Sequence, residues 1–276
     1  MEWFKLGRWC RKHLRIVLGV LVLSFILLSI MFPVLWTQYP QEAAELADRL
    51  QAPSRAHWMG CDLYGQDVLT ALLYGARVSF YIATLSVLLA MSIGLCVGLV
   101  AGYYGGWWDL VTMRILEIFM AFPGILLAMA LSSLLGPSMN NIILALSLTG
   151  WPATARMVRN QVLALKQRDF VLAAQSLGAG SLRIMRKELF PLLLPQLFIT
   201  ASFSFAGVIL VEASLSFLGL SSINGPPTWG ALLNQGRSVL AEAPHLSLYP
   251  GFFLVLVVWS FNLLGDGLRD AMDHRY

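Results

Sequence analysis

Long uninterrupted apolar runs dominate this chain. Residues 16–35, 78–100, 118–135, 136–155, 189–211 and 246–265 contain no Asp, Glu, Lys or Arg. A bilayer core asks for about 20 apolar residues per helix, so these runs predict six membrane-spanning helices. Arg114 and Glu117 fall at the edge of the third run. Gly136-Pro137 reads as a turn before the fourth, and Gly150-Trp151-Pro152 as a kink within it. The first run follows Lys5, Arg8, Arg11, Lys12 and Arg15. It is longer than the apolar core of about 7–15 residues in a secretory signal, which makes it an uncleaved first span.

Composition agrees with that pattern. The 276 residues are 58% hydrophobic and 12% charged, against about 45–50% and about 25% in soluble domains. A soluble enzyme, a disordered chain and a nucleic-acid reader are thereby excluded. The net charge of +4 is better read as topology, because Lys and Arg gather on the cytoplasmic side. With both termini inside, only Arg49, Arg55, Arg77 and Arg237 of the 19 Lys and Arg fall outside. The three cysteines, Cys10, Cys61 and Cys96, then lie in three different environments and form no disulfide framework. The organisation expected is a tail, first span and outer loop in 1–77. A five-span core follows in 78–276, with a cytoplasmic loop at about 156–190.

The loops carry the candidate chemistry. In the outer loop, Glu42, Glu45, Asp48 and Arg49 suit a short amphipathic helix ended by Pro53. In the inner loop, Phe170, Ala173, Ala174 and Leu177 fall at i, i+3, i+4 and i+7, one face of a helix. Gly178 and Gly180 suit its C-terminal cap, and Ser181 suits the start of the next helix. Such a small-residue face either docks in a groove of another protein or lies on the membrane surface. Gly94 and Gly98 form a G-x-x-x-G pair for close packing on an unspecified neighbour. Trp36, Tyr39, Trp107 and Trp108 read as interfacial anchors. Arg114 and Glu117 are spaced to pair, as a gate or simply to orient the third span. Glu212, near the outer end of the fifth run, meets cargo, meets a sister subunit or marks an interface.

The stretch Asp169-Phe170-Val171-Leu172-Ala173-Ala174, with Gly178, Arg183-Ile184 and Phe190-Pro191, resembles the cytoplasmic "EAA" loop of ABC-importer permeases. Gly105-Gly106-Trp107-Trp108-Asp109 through Ala121-Phe122-Pro123 also fits that pattern. So do Glu212 to Leu220, Trp229-Gly230, the tail Asn262 to Asp273, and Gly60 to Arg77. Together they resemble the dipeptide/oligopeptide/nickel permease family, on its C-type membrane-subunit side. Leu172, Gln175, Glu188, Trp58, Cys61, Gln66 and His274 depart from the family pattern. Gln66 leaves any role of an arginine there open.

The resemblance implies an all-α integral membrane protein with the type I ABC-importer permease fold, in a bacterial cytoplasmic (inner) membrane. It implies half of an ATP-driven path for dipeptides or oligopeptides, with nickel or another small solute as the alternative. No His/Cys/Asp cluster falls in a span, which favours peptide over nickel. Asp169, Phe170, Ala173, Ala174, Leu177 and Gly178 would form the coupling helix, and Arg114, Glu117 and Glu212 a gate or pathway. The partners implied, besides membrane lipid, are a homologous second permease, two cytosolic ATPase subunits and an extracytoplasmic substrate-binding protein. The chain has no Gly-x-x-x-x-Gly-Lys-[Ser/Thr] run, so ATP and Mg would be held by the ATPase chains. It also has no His-Glu-x-x-His or Gly-x-Ser-x-Gly pattern, which argues against an enzyme. The remaining rival is a secondary transporter, for which internal repeats or broken helices with midplane charges are the signature.

Overall fold

The computed structural model describes residues 14–41, 43–220 and 227–273. Lys5, Arg8, Cys10, Arg11, Lys12, His13, Glu42, His274 and Arg275 lie outside them. Among the described residues the elements are helical. They are α1 (Leu14–Met31), α2 (Val68–Tyr104), α3 (Gly106–Met120), α4 (Gly124–Leu135), α5 (Met139–Leu165) and α6 (Asp169–Ser176). Then come α7 (Ser181–Phe217), α8 (Trp229–Arg237) and α9 (His245–Asp273).

Four of these, α1, α2, α7 and α9, are long and apolar enough to cross a bilayer. The pair α3–α4 makes a fifth if it is counted as one broken span. The third apolar run is therefore not one continuous helix. It bends by 86° at the break between α3 and α4. Pro123 has no amide hydrogen and disfavours helical geometry at Phe122. Pro152, where a kink is expected, lies inside α5, which runs on through it. α5 is long, but Arg156, Arg159, Asn160 and Gln161 lower its apolar character.

The seam between α2 and α5 shows what the glycine pair is for. A Cβ on Gly94 would lie 2.6 Å from Thr154 Cβ, and one on Gly98 would lie 2.6 Å from the Ala155 carbonyl oxygen. Gly102 extends the series, with Val162 Cβ at 2.8 Å from its notional Cβ. The unspecified neighbour is α5, and three successive turns of α2 have lost their side chains so that the backbones can meet. Beside this seam, Ile26, Leu72, Phe80, Phe205, Trp229 and Val257 bring α1, α2, α7, α8 and α9 into one core.

The segment between α1 and α2 is not the expected amphipathic helix. Among its described residues two 3-10 turns form, Pro33–Leu35 directly after α1 and Leu46–Asp48 where the amphipathic helix is expected. The rest is stitched by polar contacts. Asp67 caps α2 by accepting from the Thr70 amide at 2.8 Å. Its other oxygen meets His57 Nδ1 at 3.0 Å, and the His57 ring stacks on Tyr39. Asp62 accepts from the amides of Tyr64 and Gln66, both at 2.8 Å. These ties need no helical period, which is why the sequence pattern does not announce them.

Cys61 is enclosed by this segment. Burial, reinforced by Asp67, Asp48 and Asp62, pushes its thiol up to about 11. At pH 8 about one thiol in a thousand is then ionised, and the thiolate is the reactive form. Maleimide labelling of the folded protein at pH 8, resolved by peptide mass spectrometry, is expected to leave Cys61 unmodified until denaturant is added. Rapid native labelling at Cys61 would show that the segment is open.

Candidate functional site

The short helix α6 stands at the end of the bundle where α2 and α5 finish and α7 begins. Its first turn carries Asp169, whose carboxylate complements the positive end of a helix. Its C-terminus closes in a Schellman arrangement. The Gly178 amide donates to Gln175 O at 2.9 Å and the Ala179 amide to Ala174 O at 3.0 Å. Gly178 has φ +77°, as the sequence anticipates. Gly180 does not share that geometry: its φ is −68°, and it, not Ser181, is the residue that precedes α7.

The faces of α6 divide differently from the simple periodic reading. Val171 is fully buried against Val158, Val162, Ile184, Met185 and Leu189, and Ala174 packs against the same cluster. Phe170, Ala173 and Leu177 face away, with Phe170 40% and Leu177 88% exposed. Ala174 thus belongs to the anchoring face, and the presented face is Phe170, Ala173 and Leu177. The reason is angular. Residues 171 and 174 are three apart and lie about 60° from each other around the axis, while 173 is about 100° from 174 and about 160° from 171. A contiguous exposed apolar face on a polar end of a protein marks an interaction site.

α6 is coupled to the long helices on both sides. Downstream, α7 passes after its first turn, Ser181–Arg183, into a π-helical stretch, Ile184–Leu189. The Phe190 amide donates to Met185 O, five residues back. Pro191 and Pro195 follow within α7, and each removes one regular backbone bond. Such wide turns inside α-helices concentrate at functional positions. Upstream, Arg159 grips Asp109 with two charge-assisted bonds, Nε to Oδ1 at 2.7 Å and Nη2 to Oδ2 at 2.6 Å. Both side chains are about four-fifths buried. Lys166 Nζ donates to Gly102 O at 3.0 Å. These contacts tie the α2–α3 elbow to the end of α5 just before α6. Sequence reasoning missed them: Asp109 and Arg159 are 50 positions apart, and each alone reads as an ordinary charge at a membrane edge.

The other candidate residues stand apart from α6. Arg114 Nη1 and Glu117 Oε2 are 2.9 Å apart on α3, and both side chains are largely exposed. Glu212 lies on α7 about 40 Å beyond Ile184, from the helical rise per residue. It is fully buried inside the chain. Its Oε1 accepts from Ser216 Oγ at 2.7 Å, with the Thr228 and Ser79 hydroxyls beside it. The Trp229 amide donates to Ser79 Oγ at 3.3 Å, and its indole donates to Leu72 O at 3.0 Å. Gly230 lies against the Ala213 backbone with no room for a Cβ. Glu212 therefore sits in the seam that clamps the Thr228-Trp229-Gly230 turn onto α2 and α7.

Several helices of membrane-spanning length, with a short helix anchored beside them, define a multi-pass membrane protein. Residues 94–276 match the family described as "Binding-protein-dependent transport system inner membrane component", and the chain belongs to that family. It is 39% identical over 272 residues to the dipeptide transport system permease protein DppC of Alkalihalophilus pseudofirmus, spanning 98% of this chain and 89% of that one. It is 42% identical over 271 residues to the glutathione transport system permease protein GsiD of Pectobacterium atrosepticum, spanning 96% and 88%. Among solved structures, inward-facing MetNI, a methionine ABC transporter, superposes with TM-score 0.55 at 22% identity. That match covers 69% of this chain and 90% of the other, and it shows a shared fold. The protein is thus an inner-membrane component of a transport system.

Proposed function

We propose that this chain is one of two membrane subunits of an ATP-driven importer of short peptides. Both termini are cytoplasmic, and α5 completes six spans with α1, α2, α3–α4, α7 and α9. A homologous permease forms the other half of the path. Two cytosolic ATPase subunits, which hold ATP and Mg, grip α6, and a binding protein outside delivers cargo.

The observation that carries this reading is α6 itself. It is pinned to the spans through Val171 and offers Phe170, Ala173 and Leu177 to a partner. A groove that holds this face and changes shape with ATP supplies the differential contact a two-state shift needs. The push passes through the cluster around Val171 into α5 and α7, and through Asp109–Arg159 to the α2–α3 elbow. The peptide cargo rests on the names of the dipeptide and glutathione relatives.

Purification of a tagged chain from its own host in mild detergent is the test. A second permease and a P-loop ATPase are expected to co-purify, and the reconstituted complex with its binding protein is expected to accumulate labelled di- or tripeptide only with ATP. Uptake that proceeds without any ATPase chain would favour a secondary transporter instead.

A further inference from the structure

α7 carries a polar line that the coupling scheme does not use. Gln196, Thr200 and Ser204 follow at steps of four residues, which puts them on one face of the helix. They line a cavity of about 1240 Å³ together with Gln161 of α5 and Arg269 of α9. Thr200 falls near the middle of the uncharged run 189–211. Among the described residues, the side chains of Gln161, Gln196, Thr200 and Ser204 make no internal hydrogen bond. Polar groups at that depth are costly unless they face a partner or a water-filled space. Pro191 and Pro195 line the same cavity. Pro195 has no amide hydrogen, so the Pro191 carbonyl lacks its regular helical donor four residues on. The wall thus offers amides, hydroxyls and a carbonyl without its regular helical donor, with a guanidinium at the α6 end.

We infer that this wall is the inner half of the cargo path, a site for a peptide's backbone in which Arg269 takes the terminal carboxylate. The inference rests on the importer reading and adds to it the wall residues and the chemical group recognised. Neutral amides and hydroxyls pair with peptide N–H and C=O groups of any sequence. They bind weakly enough to release, as a conducting path requires. An arginine fork matches a carboxylate geometrically.

The experiment uses the reconstituted complex with its binding protein. Thr200→Trp and Ser204→Trp are expected to lower peptide uptake at least about tenfold, the effect of roughly 1.4 kcal/mol. Assembly on gel filtration is expected to stay intact. The Ser204→Cys variant is expected to react with a hydrophilic maleimide, assigned by mass spectrometry. Wild type is expected to carry a free-carboxylate peptide faster than its C-terminally amidated form, and Arg269→Gln to abolish that preference while Arg269→Lys partly keeps it. Wild-type rates in both tryptophan variants, no maleimide labelling of Ser204→Cys at that position, or a preference that survives Arg269→Gln would overturn the assignment. If the complex carries a non-peptide solute and the tryptophan variants block it, the path stands and the peptide reading falls. If peptides are carried and the tryptophan variants do nothing, the reverse holds.

Discussion

Ala173→Asp is expected to abolish uptake and peptide-stimulated ATP hydrolysis while the subunit still folds and reaches the membrane. Ala173 is exposed between Phe170 and Leu177 on the presented face of α6, so water accommodates the new carboxylate in the isolated subunit. Docking would bury it without a partner. An unpaired buried charge costs about 3–5 kcal/mol, which is roughly a hundredfold or more in affinity. Gln175→Ala, on the far side of α6, serves as the control and is expected to transport normally. Ala174→Asp, which the periodic pattern would nominate equally, is a worse probe. It places a charge among Val171, Ile184 and Leu189 and damages the fold as well as the docking. Uptake and stimulated hydrolysis at wild-type levels in Ala173→Asp would show that this face is not the ATPase contact.

The second large effect belongs to the α2–α5 seam. Gly98→Leu is expected to prevent accumulation of the folded subunit. Even the first carbon of the new side chain would come within 2.6 Å of the Ala155 carbonyl and 2.8 Å of Val158 Cβ, and neither can step aside without moving α5. Overpacking a dense core costs about 1–3 kcal/mol per modest insertion, and a leucine here must separate two helices along their longest contact. Total stability is only about 5–15 kcal/mol, so the loss is expected to be near complete. Gly207 makes a matched control, because a Cβ there meets nothing within 4 Å. Gly207→Ala is expected to keep or raise stability, since glycine weakens a helix by about 0.5–1 kcal/mol against alanine. Fluorescence-detected size exclusion of both variants decides the matter. A normal Gly98→Leu peak would mean that the helices do not meet as closely as described.

Much of this was legible in the residues because membrane physics writes long, one-note signals. The uncharged runs around α1, α2, α7 and α9 name their helices outright. Gly178 announces its left-handed cap, and Gly94 with Gly98 announces a close approach. What was not legible depends on partners far away in sequence. No local pattern identifies α5 as the neighbour of Gly98, joins Asp109 to Arg159, or turns Glu212 inward against Ser216 and the Trp229 turn. The break at Pro123 was visible as a proline but not as a right angle, because proline fixes where a helix stops and its neighbours fix where the chain goes next. The inward turn of Ala174 is subtler. Helical period groups residues 170, 173, 174 and 177 together, and only the position of Val171 against α5 and α7 shows which edge of that group is buried.

Whether an ATPase subunit grips the presented face of α6 is measured most directly by a crosslink from position 173. The Ala173→Cys subunit, assembled with its partners in proteoliposomes, is treated with a short bifunctional thiol reagent and the products are identified by mass spectrometry. The expected product is a crosslink to the ATPase chain whose yield changes between the nucleotide-free and ATP-bound states. An Ala173→Cys thiol that reacts freely with reagent, yet never joins the ATPase in either state, would contradict the docking of α6.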